Sequence, residues 1–137
     1  MKFCYQLAAA LLLAGAAGCG TAQVRGIESK IEPTEATVEY PVATVEATNV
    51  SYWLFGLLPL YSGNPHRPNT GDYHIFQDLA TPENNEEMAA RGVVRYRADR
   101  LDDVRTTVDW SGWYSLGTVW RKVVRTDAVV MRVHHPE

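Results

Sequence analysis

Histidine and carboxylate side chains are the groups in this chain of 137 residues that could bind a metal. A structural zinc site takes three or four converging ligands. The densest grouping, Asp72, His74 and Asp78, follows no recognised ligand spacing, although Asp72 and His74 would share one face of a strand. The other histidines are His66 in a proline-rich loop and His134 and His135 near the C-terminus. We therefore predict surface polar residues at these positions, with no metal and no cofactor.

Nucleophilic catalysis has no recognisable pattern in the sequence. No serine stands in a Gly-x-Ser-x-Gly turn, and no glycine-rich phosphate loop is present. The carboxylate pairs Glu86-Glu87 and Asp102-Asp103 are adjacent in sequence, so their side chains point in different directions. The sequence predicts that the protein is not an enzyme.

Cys19 follows a stretch of sequence that has the features of an export signal. A positive charge at Lys2 and an apolar run from Leu7 to Ala17 precede it, which is the layout of a signal peptide. The run is shorter than the roughly 20 apolar residues of a transmembrane helix. Small residues at 16–18 stand directly before the cysteine. The N-terminus therefore predicts export and removal of residues 1–18.

The segment Ala16-Ala17-Gly18-Cys19 resembles the lipobox of bacterial lipoproteins. The resemblance implies that the Cys19 thiol receives diacylglycerol, whose palmitate-type acyl chains anchor the protein in a membrane. Ala16 departs from the family, which more often has Leu there. Gly20 implies the outer membrane, with the domain facing the periplasm, because Asp at that position would favour the inner membrane. The alternative is an ordinary secretory leader cleaved after an Ala-x-Ala-like site.

Loss of the leader would remove Cys4, and lipidation would consume Cys19, so no free thiol would remain. Disulfides, thiol catalysis and cysteine-based zinc sites would be excluded from the folded part. After loss of Lys2, the chain would carry 12 basic and 16 acidic residues, a net charge of −4. This mild balance argues against nucleic acid as a partner.

Aromatic residues are the most distinctive feature of the folded part. The four tryptophans are Trp53, Trp110, Trp113 and Trp120. We expect most of these tryptophans to pack in the core, whereas any exposed ones would form a contact patch for a protein or a glycan. A small-ligand or metal site built from Tyr73, His74 and this tryptophan cluster is a further alternative.

Residues 19–47 are rich in Thr, Glu, Ala and Pro, and lack a sustained apolar face. Such a composition buries too little apolar surface to offset the entropy of ordering. We predict a lipidated, mostly disordered tether here, followed by one small domain over 48–137. A repeated Ala-Thr-Val-Glu, at 36–39 and 43–46, could also mark an edge strand interrupted by Pro41.

The first half of the domain contains the clearest helix signal. Residues 50–61 (VSYWLFGLLPLY) predict one buried strand ending in a kink at Gly56 and Pro59. Residues 62–70 predict a loop, and 71–79 predict a short strand or ordered coil. Thr81 before Pro82 and Glu83 has the composition of a helix N-terminus.

The predicted helix covers about 82–98, with Gly92 in its interior. A glycine there costs about 1 kcal/mol relative to alanine, so we expect close packing of the helix against a sheet.

The second half of the domain predicts a three-strand meander. Residues 104–110 alternate as a half-buried strand, and Ser111-Gly112 fits a two-residue hairpin turn. A second strand over 114–124, a turn at Thr126-Asp127 and a third strand over 128–133 complete it. The predicted fold class is α+β: strand, helix, then three-strand meander, forming a small antiparallel sheet with the helix on one face.

This layout weakly resembles small bacterial lipoproteins of the Bor type. The shared elements include the lipobox, the aromatic segment Tyr52-Trp53-Leu54-Phe55-Gly56, and the segment Ala98 to Val104 opening a strand meander. Arg97 departs from the Gly that often stands in its place in relatives. The resemblance assigns no functional residue. The leading hypothesis is a non-enzymatic envelope lipoprotein that binds another envelope protein; the alternative is a surface-exposed lipoprotein that interacts with the environment.

Overall fold

The computed structural model describes residues 22–31, 39–112 and 115–134. Cys19, Gly20, Trp113 and His135 lie outside these residues, as does the whole predicted leader. The elements are β1 (Gln23–Glu28), β2 (Glu39–Leu54), β3 (Leu58–Gly63), β4 (Tyr73–Ile75), α1 (Pro82–Arg95), β5 (Arg100–Ser111) and β6 (Val119–Val133). Among the described residues, no helix is long and apolar enough to cross a membrane.

β2 is the central strand of an antiparallel six-stranded sheet, in which five strands follow the order β4-β3-β2-β6-β5 and the sixth, β1, also pairs with β2. β6 pairs with β2 along its length, from Glu39 opposite Val133 to Leu54 opposite Val119. The other edge of β2 is shared, because β1 pairs with its first part and β3 with its last residues. Within the described residues, one helix and one antiparallel sheet confirm the α+β class.

The alternation of buried and exposed residues along β2 explains why this segment forms a strand. Ala43, Val45 and Ala47 are buried beneath α1, while Thr44 between them is exposed. These residues pack with Ala22, Met88, Ala89 and Val130 in the core. The pairing of β2 with β6 shifts register between Pro41 and Ala43, which accommodates a proline inside a long strand.

The predicted tether is wrong for the described residues of 19–47. Residues 23–28 form β1, and 39–47 form the first part of β2. Small apolar residues alternate with Thr and Glu there, and this pattern buries one face once β6 supplies a partner. The strand is central, so the predicted edge position is also wrong. Residues 32–38 of the predicted tether lie outside the described residues.

The single strand predicted over 50–61 is a hairpin. β2 ends at Leu54 and β3 starts at Leu58, with the chain reversing at Phe55 and Gly56. Gly56 therefore makes a turn and not a kink within one strand. β4 confirms the expectation of a short strand within 71–79, and pairs with β3 at the sheet edge.

α1 confirms the predicted helix start. The Thr81 side chain accepts a hydrogen bond from the Asn84 backbone N–H at 3.3 Å, and Pro82 stands at the first helical position. The helix ends at Arg95, three residues before the predicted end. Gly92 lies against Val45 of β2, so the expected close packing on the sheet is also confirmed.

The predicted three-strand meander is wrong because its last two strands are one. β6 runs unbroken through Thr126 and Asp127, where a turn was expected. Thr126 is buried, and its hydroxyl lies 2.9 Å from that of Thr106 on β5. The two-residue turn predicted at Ser111-Gly112 is replaced by a longer connection between Ser111 and Val119.

Candidate interaction surface

Trp53 and Trp110 meet near the end of the sheet where the β2–β3 and β5–β6 connections lie. Their ring centroids are 5.5 Å apart, with the ring planes tilted by 56°. Alternation along β2 puts Trp53 on the same face as Val45, which α1 covers. Trp110 and Trp53 are brought together across β6, since Lys122 pairs with both Trp110 and Ser51.

Lys122 lies beneath both rings. Its Nζ is 5.6 Å from the Trp110 ring centroid and 6.0 Å from that of Trp53, within cation–π range. The same Nζ lies 2.6 Å from Oδ2 of Asp78, and the two side chains are only 12% and 17% exposed. The charge is therefore largely neutralised inside the protein, and the aromatic rings cover it.

Trp120 supports the neighbouring turn. Its indole Nε1 donates to the Gly117 carbonyl at 2.9 Å, and its ring lies on Gly112, where an added Cβ would be 2.5 Å from the ring. A side chain at position 112 would displace the ring. Trp120 is thus a packing residue in the described structure.

The predicted contact patch is brought together only in part. Trp53, Trp110 and Trp120 lie at one end of the sheet, and Trp113 lies outside the described residues. Trp53 and Trp120 are partly buried, whereas Trp110 is 45% exposed. Whether the group binds a partner stays a prediction.

Two tight turns beside the tryptophans carry large apolar residues in an unfavourable backbone conformation. In the β2–β3 turn, Leu57 N–H donates to the Leu54 carbonyl, and φ is 52° at Phe55 and 69° at Gly56. These values and the hydrogen bond are those of a type I′ turn, which favours Asn or Gly at both central positions. A bulky residue at positive φ costs about 1–2 kcal/mol.

The β5–β6 turn repeats this arrangement. Thr118 N–H donates to the Ser115 carbonyl at 3.1 Å, and φ is 53° at Leu116 and 79° at Gly117. The two turns are directly joined, because Phe55 N–H donates to the Thr118 carbonyl at 2.7 Å. Phe55 and Leu116 are nevertheless 62% and 97% exposed. The sheet therefore holds two large apolar side chains in solvent at a cost in backbone strain.

Further exposed apolar residues continue from these turns along the β4 side of the sheet. Phe76, directly after β4, also has a positive φ of 57°. We call the group the apolar edge: Phe55, Leu57, Leu58, Tyr73, Ile75, Phe76 and Leu116. Large exposed apolar patches mark sites of contact with a partner or a membrane.

Charged residues are absent from the segments that form the two turns and are frequent on β5. Residues 53–63 and 110–120 contain no Asp, Glu, Lys or Arg. β5, at the far edge of the sheet, carries Arg100, Asp102, Asp103, Arg105 and Asp109. Charge is therefore denser along β5 than at the two turns, although β5 also exposes Val104, Val108 and Trp110.

The predicted grouping of Asp72, His74 and Asp78 is divided between other partners. Asp72 faces Arg67 at 3.5 Å, and Asp78 is paired with Lys122. His74 stands opposite Ser62 in the β3–β4 pairing. In the described ranges, no three His, Cys, Asp or Glu side chains are placed to hold a metal ion.

A cavity of about 200 Å³ lies between β1 and α1. Val24, Val45 and Met88 supply apolar walls, and Arg91 and Arg95 also line it. Tyr73, His74 and the tryptophans are not among its lining residues, so this cavity is separate from the small-ligand site considered above.

Comparison of the chain with protein-family models, curated proteins and solved structures finds no match. The candidate surface therefore rests on its own geometry.

Sequence analysis missed the apolar edge and the Lys122–Asp78 pair. The Phe55-Gly56 and Leu116-Gly117 dipeptides, each between β-rich segments and inside charge-free stretches, are the signal for the turns. No local signal indicates the ion pair, because 44 positions separate its members.

Proposed function

We propose that this protein is a lipid-anchored cell-envelope protein whose α+β domain is a non-enzymatic module that binds another envelope component. The anchor is Cys19, with outer-membrane sorting directed by Gly20. The observation that carries the proposal is the apolar edge: exposed Phe, Leu, Ile and Tyr side chains, several at positive φ, around two turns that contain no charged residue. Strain retained in a structure is characteristic of functional sites.

The anchor is tested by mass spectrometry of the intact chain and its Cys19→Ser variant. The expected result is acyl mass on the N-terminal cysteine of the wild type, and an unprocessed, unlipidated precursor for the variant. Acyl mass on the Cys19→Ser chain would contradict the assignment. Ala-x-Ala-type cleavage without lipid would instead support an ordinary secreted protein.

Binding through the apolar edge is tested by site-specific photo-crosslinking in intact cells. The crosslinking residue is placed at Leu57, which is 84% exposed on the apolar edge, or at Val94, which is 82% exposed on α1. The expected result is a crosslinked adduct from position 57 that position 94 does not give. Equal yields from both positions would contradict binding at this edge.

The orientation of the domain is tested by adding protease to intact cells and to cells with a permeabilised outer membrane. A periplasmic domain is expected to be protected from the protease in intact cells and digested once the outer membrane is permeabilised. Digestion in intact cells would favour the surface-exposed alternative.

A further inference from the structure

From the position of the apolar edge, we infer that its partner is the bilayer surface itself, so that the anchored domain lies against the membrane that holds its lipid. This inference rests on the proposed lipid at Cys19. It adds a second membrane contact made by the folded domain: side chains of the apolar edge enter the interfacial region without crossing the bilayer.

The short connection to the anchor is the first argument. Ala22 is buried in the core, and its carbonyl accepts a hydrogen bond from Asn69 N–H at 2.8 Å. Three residue steps from Ala22 back to Cys19 span about 11 Å at most. An acylated Cys19 would therefore hold this point of the sheet close to the headgroups. A long tether, in contrast, would let the sheet move away from them.

The side of the sheet at which the chain enters is the second argument. β1 and β3 share one edge of β2, and Gln23 stands opposite Thr48 while Ser62 stands opposite Ser51. Ala22, where the described chain starts, thus lies beside the β3–β4 loop, which supplies Asn69. β4 and most of the apolar edge lie on this side, whereas Leu116 lies in the β5–β6 turn and the charged strand β5 lies on the other side.

Reach along the strands is the third argument. From Thr48 to Leu54, β2 advances by about 20 Å. A domain lying with its strands at a shallow angle to the bilayer brings both the Ala22 region and the β2–β3 turn to the surface. The described apolar residues at that turn, Phe55, Leu57 and Leu58, would then meet lipid.

The composition matches an interfacial contact in particular. Aromatic side chains with a polar atom prefer the headgroup region, and charges are costly below it. Tyr73 and Trp110 are exposed, and the β2–β3 and β5–β6 turns are free of charge, while Asp72 beside Tyr73 is paired with Arg67. The nearest buried cation, Lys122, is paired with Asp78 and covered by two rings, so it adds no exposed charge.

The test uses the tryptophans, since Trp53, Trp110 and Trp120 lie beside the turns. Full-length lipidated protein is reconstituted into phosphatidylethanolamine–phosphatidylglycerol vesicles, with or without bromine on the acyl chains near the headgroup. Brominated lipid is expected to quench tryptophan fluorescence. In the double variant Phe55→Asn/Leu116→Asn, the quenching is expected to be lost while the protein stays anchored.

The double variant is designed to preserve the fold. Asn tolerates positive φ, and Asn-Gly is the preferred centre of a type I′ turn, so the urea midpoint is expected to stay the same or rise. Val94→Asn removes an apolar side chain from α1 that is 82% exposed, between Phe55 at 62% and Leu116 at 97%, and should leave the quenching unchanged.

The outcomes separate this inference from the proposed function. Acylated wild type that binds vesicles without quenching would overturn the membrane contact alone. Unchanged quenching in the double variant would overturn it as well. A protein crosslinked at Leu57, in place of lipid, would assign the edge to a protein partner. A chain without acyl mass would overturn the proposed anchor, and with it the geometry on which the contact rests.

Discussion

Gly92 of α1 and Val45 of β2 are in direct contact, so that a Cβ added to the glycine would lie 2.8 Å from Cγ2 of Val45. Val45 is fully buried between the helix and the sheet. The absence of a side chain at position 92 therefore sets how closely α1 approaches β2.

Gly92→Ala is expected to lower the free energy of unfolding by about 1–2 kcal/mol. Overpacking costs about 1–3 kcal/mol, and the higher helix propensity of Ala returns up to about 1 kcal/mol. Urea unfolding measures the change. Ala90→Gly, at an exposed position of the same helix, is the control and should lose about 1 kcal/mol. Stabilisation by Gly92→Ala would show that the contact relaxes freely.

Asn85→Asp is expected to destabilise the domain strongly at neutral pH. Asn85 is fully buried, and its Nδ2 donates to the carbonyls of Ala47 at 3.0 Å and Val124 at 2.7 Å. A carboxylate would lose both bonds and bury an unpaired charge, which costs about 3–5 kcal/mol.

The destabilisation by Asn85→Asp should shrink as pH falls to about 4, because the carboxyl group is then increasingly protonated. Urea unfolding at several pH values measures the difference between variant and wild type. The Asn84→Asp variant, at the partly buried neighbouring position, controls for general charge effects. A difference that does not change with pH would contradict the explanation.

Asp78→Asn is expected to cost about 2–3 kcal/mol, because Lys122 would keep a nearly buried charge without its partner. Fully buried pairs lose more and exposed pairs lose less. Adding Lys122→Met should recover part of the loss, since Met retains the apolar stem beneath Trp53 and Trp110.

The exposed pair Arg67–Asp72 provides the matched comparison for the buried pair. Its members are 73% and 44% exposed. Asp72→Asn should therefore cost less than about 1 kcal/mol. Equal losses from Asp78→Asn and Asp72→Asn, measured by urea unfolding, would mean that burial contributes nothing to the Lys122–Asp78 pair.

Asn69→Ala is expected to loosen β1. The Asn69 amide group bonds both the N–H and the carbonyl of Val24 at 3.0 Å, as a neighbouring strand would. Its φ of 65° also disfavours Ala. Faster hydrogen exchange at the Val24 amide measures the effect.

Asn69→Gly separates the two causes of the expected loosening, because glycine keeps the backbone angle and loses only the side-chain bonds. Exchange should be fastest in the Ala variant and intermediate in the Gly variant. Exchange at wild-type rates in both would contradict the role of Asn69 in holding β1.

The sequence by itself determined the features whose causes are local. Thr81 and Pro82 predicted the start of α1, because a cap and a first-turn proline act within one helical turn. Gly92 predicted close packing, and the 71–79 segment predicted the short strand β4. The α+β class followed from the same patterns. The lipid at Cys19 remains a prediction, since Cys19 lies outside the described residues.

Only the tertiary structure decided which strands pair and which side chains meet. Residues 39–47 and Thr126-Asp127 have the composition of a tether and a turn, yet they pair with one another across β2 and β6, Glu46 opposite Asp127 and Ala47 opposite Thr126. Strand pairing depends on a partner that is here about 80 positions away in sequence, as for Glu46 and Asp127, and no local pattern specifies it. The contacts of Lys122 with Asp78 and of Trp53 with Trp110 exist because the sheet brings together residues from separate strands and loops. The apolar edge is likewise a product of the fold, which brings exposed apolar residues of the two turns and of β4 to one part of the surface.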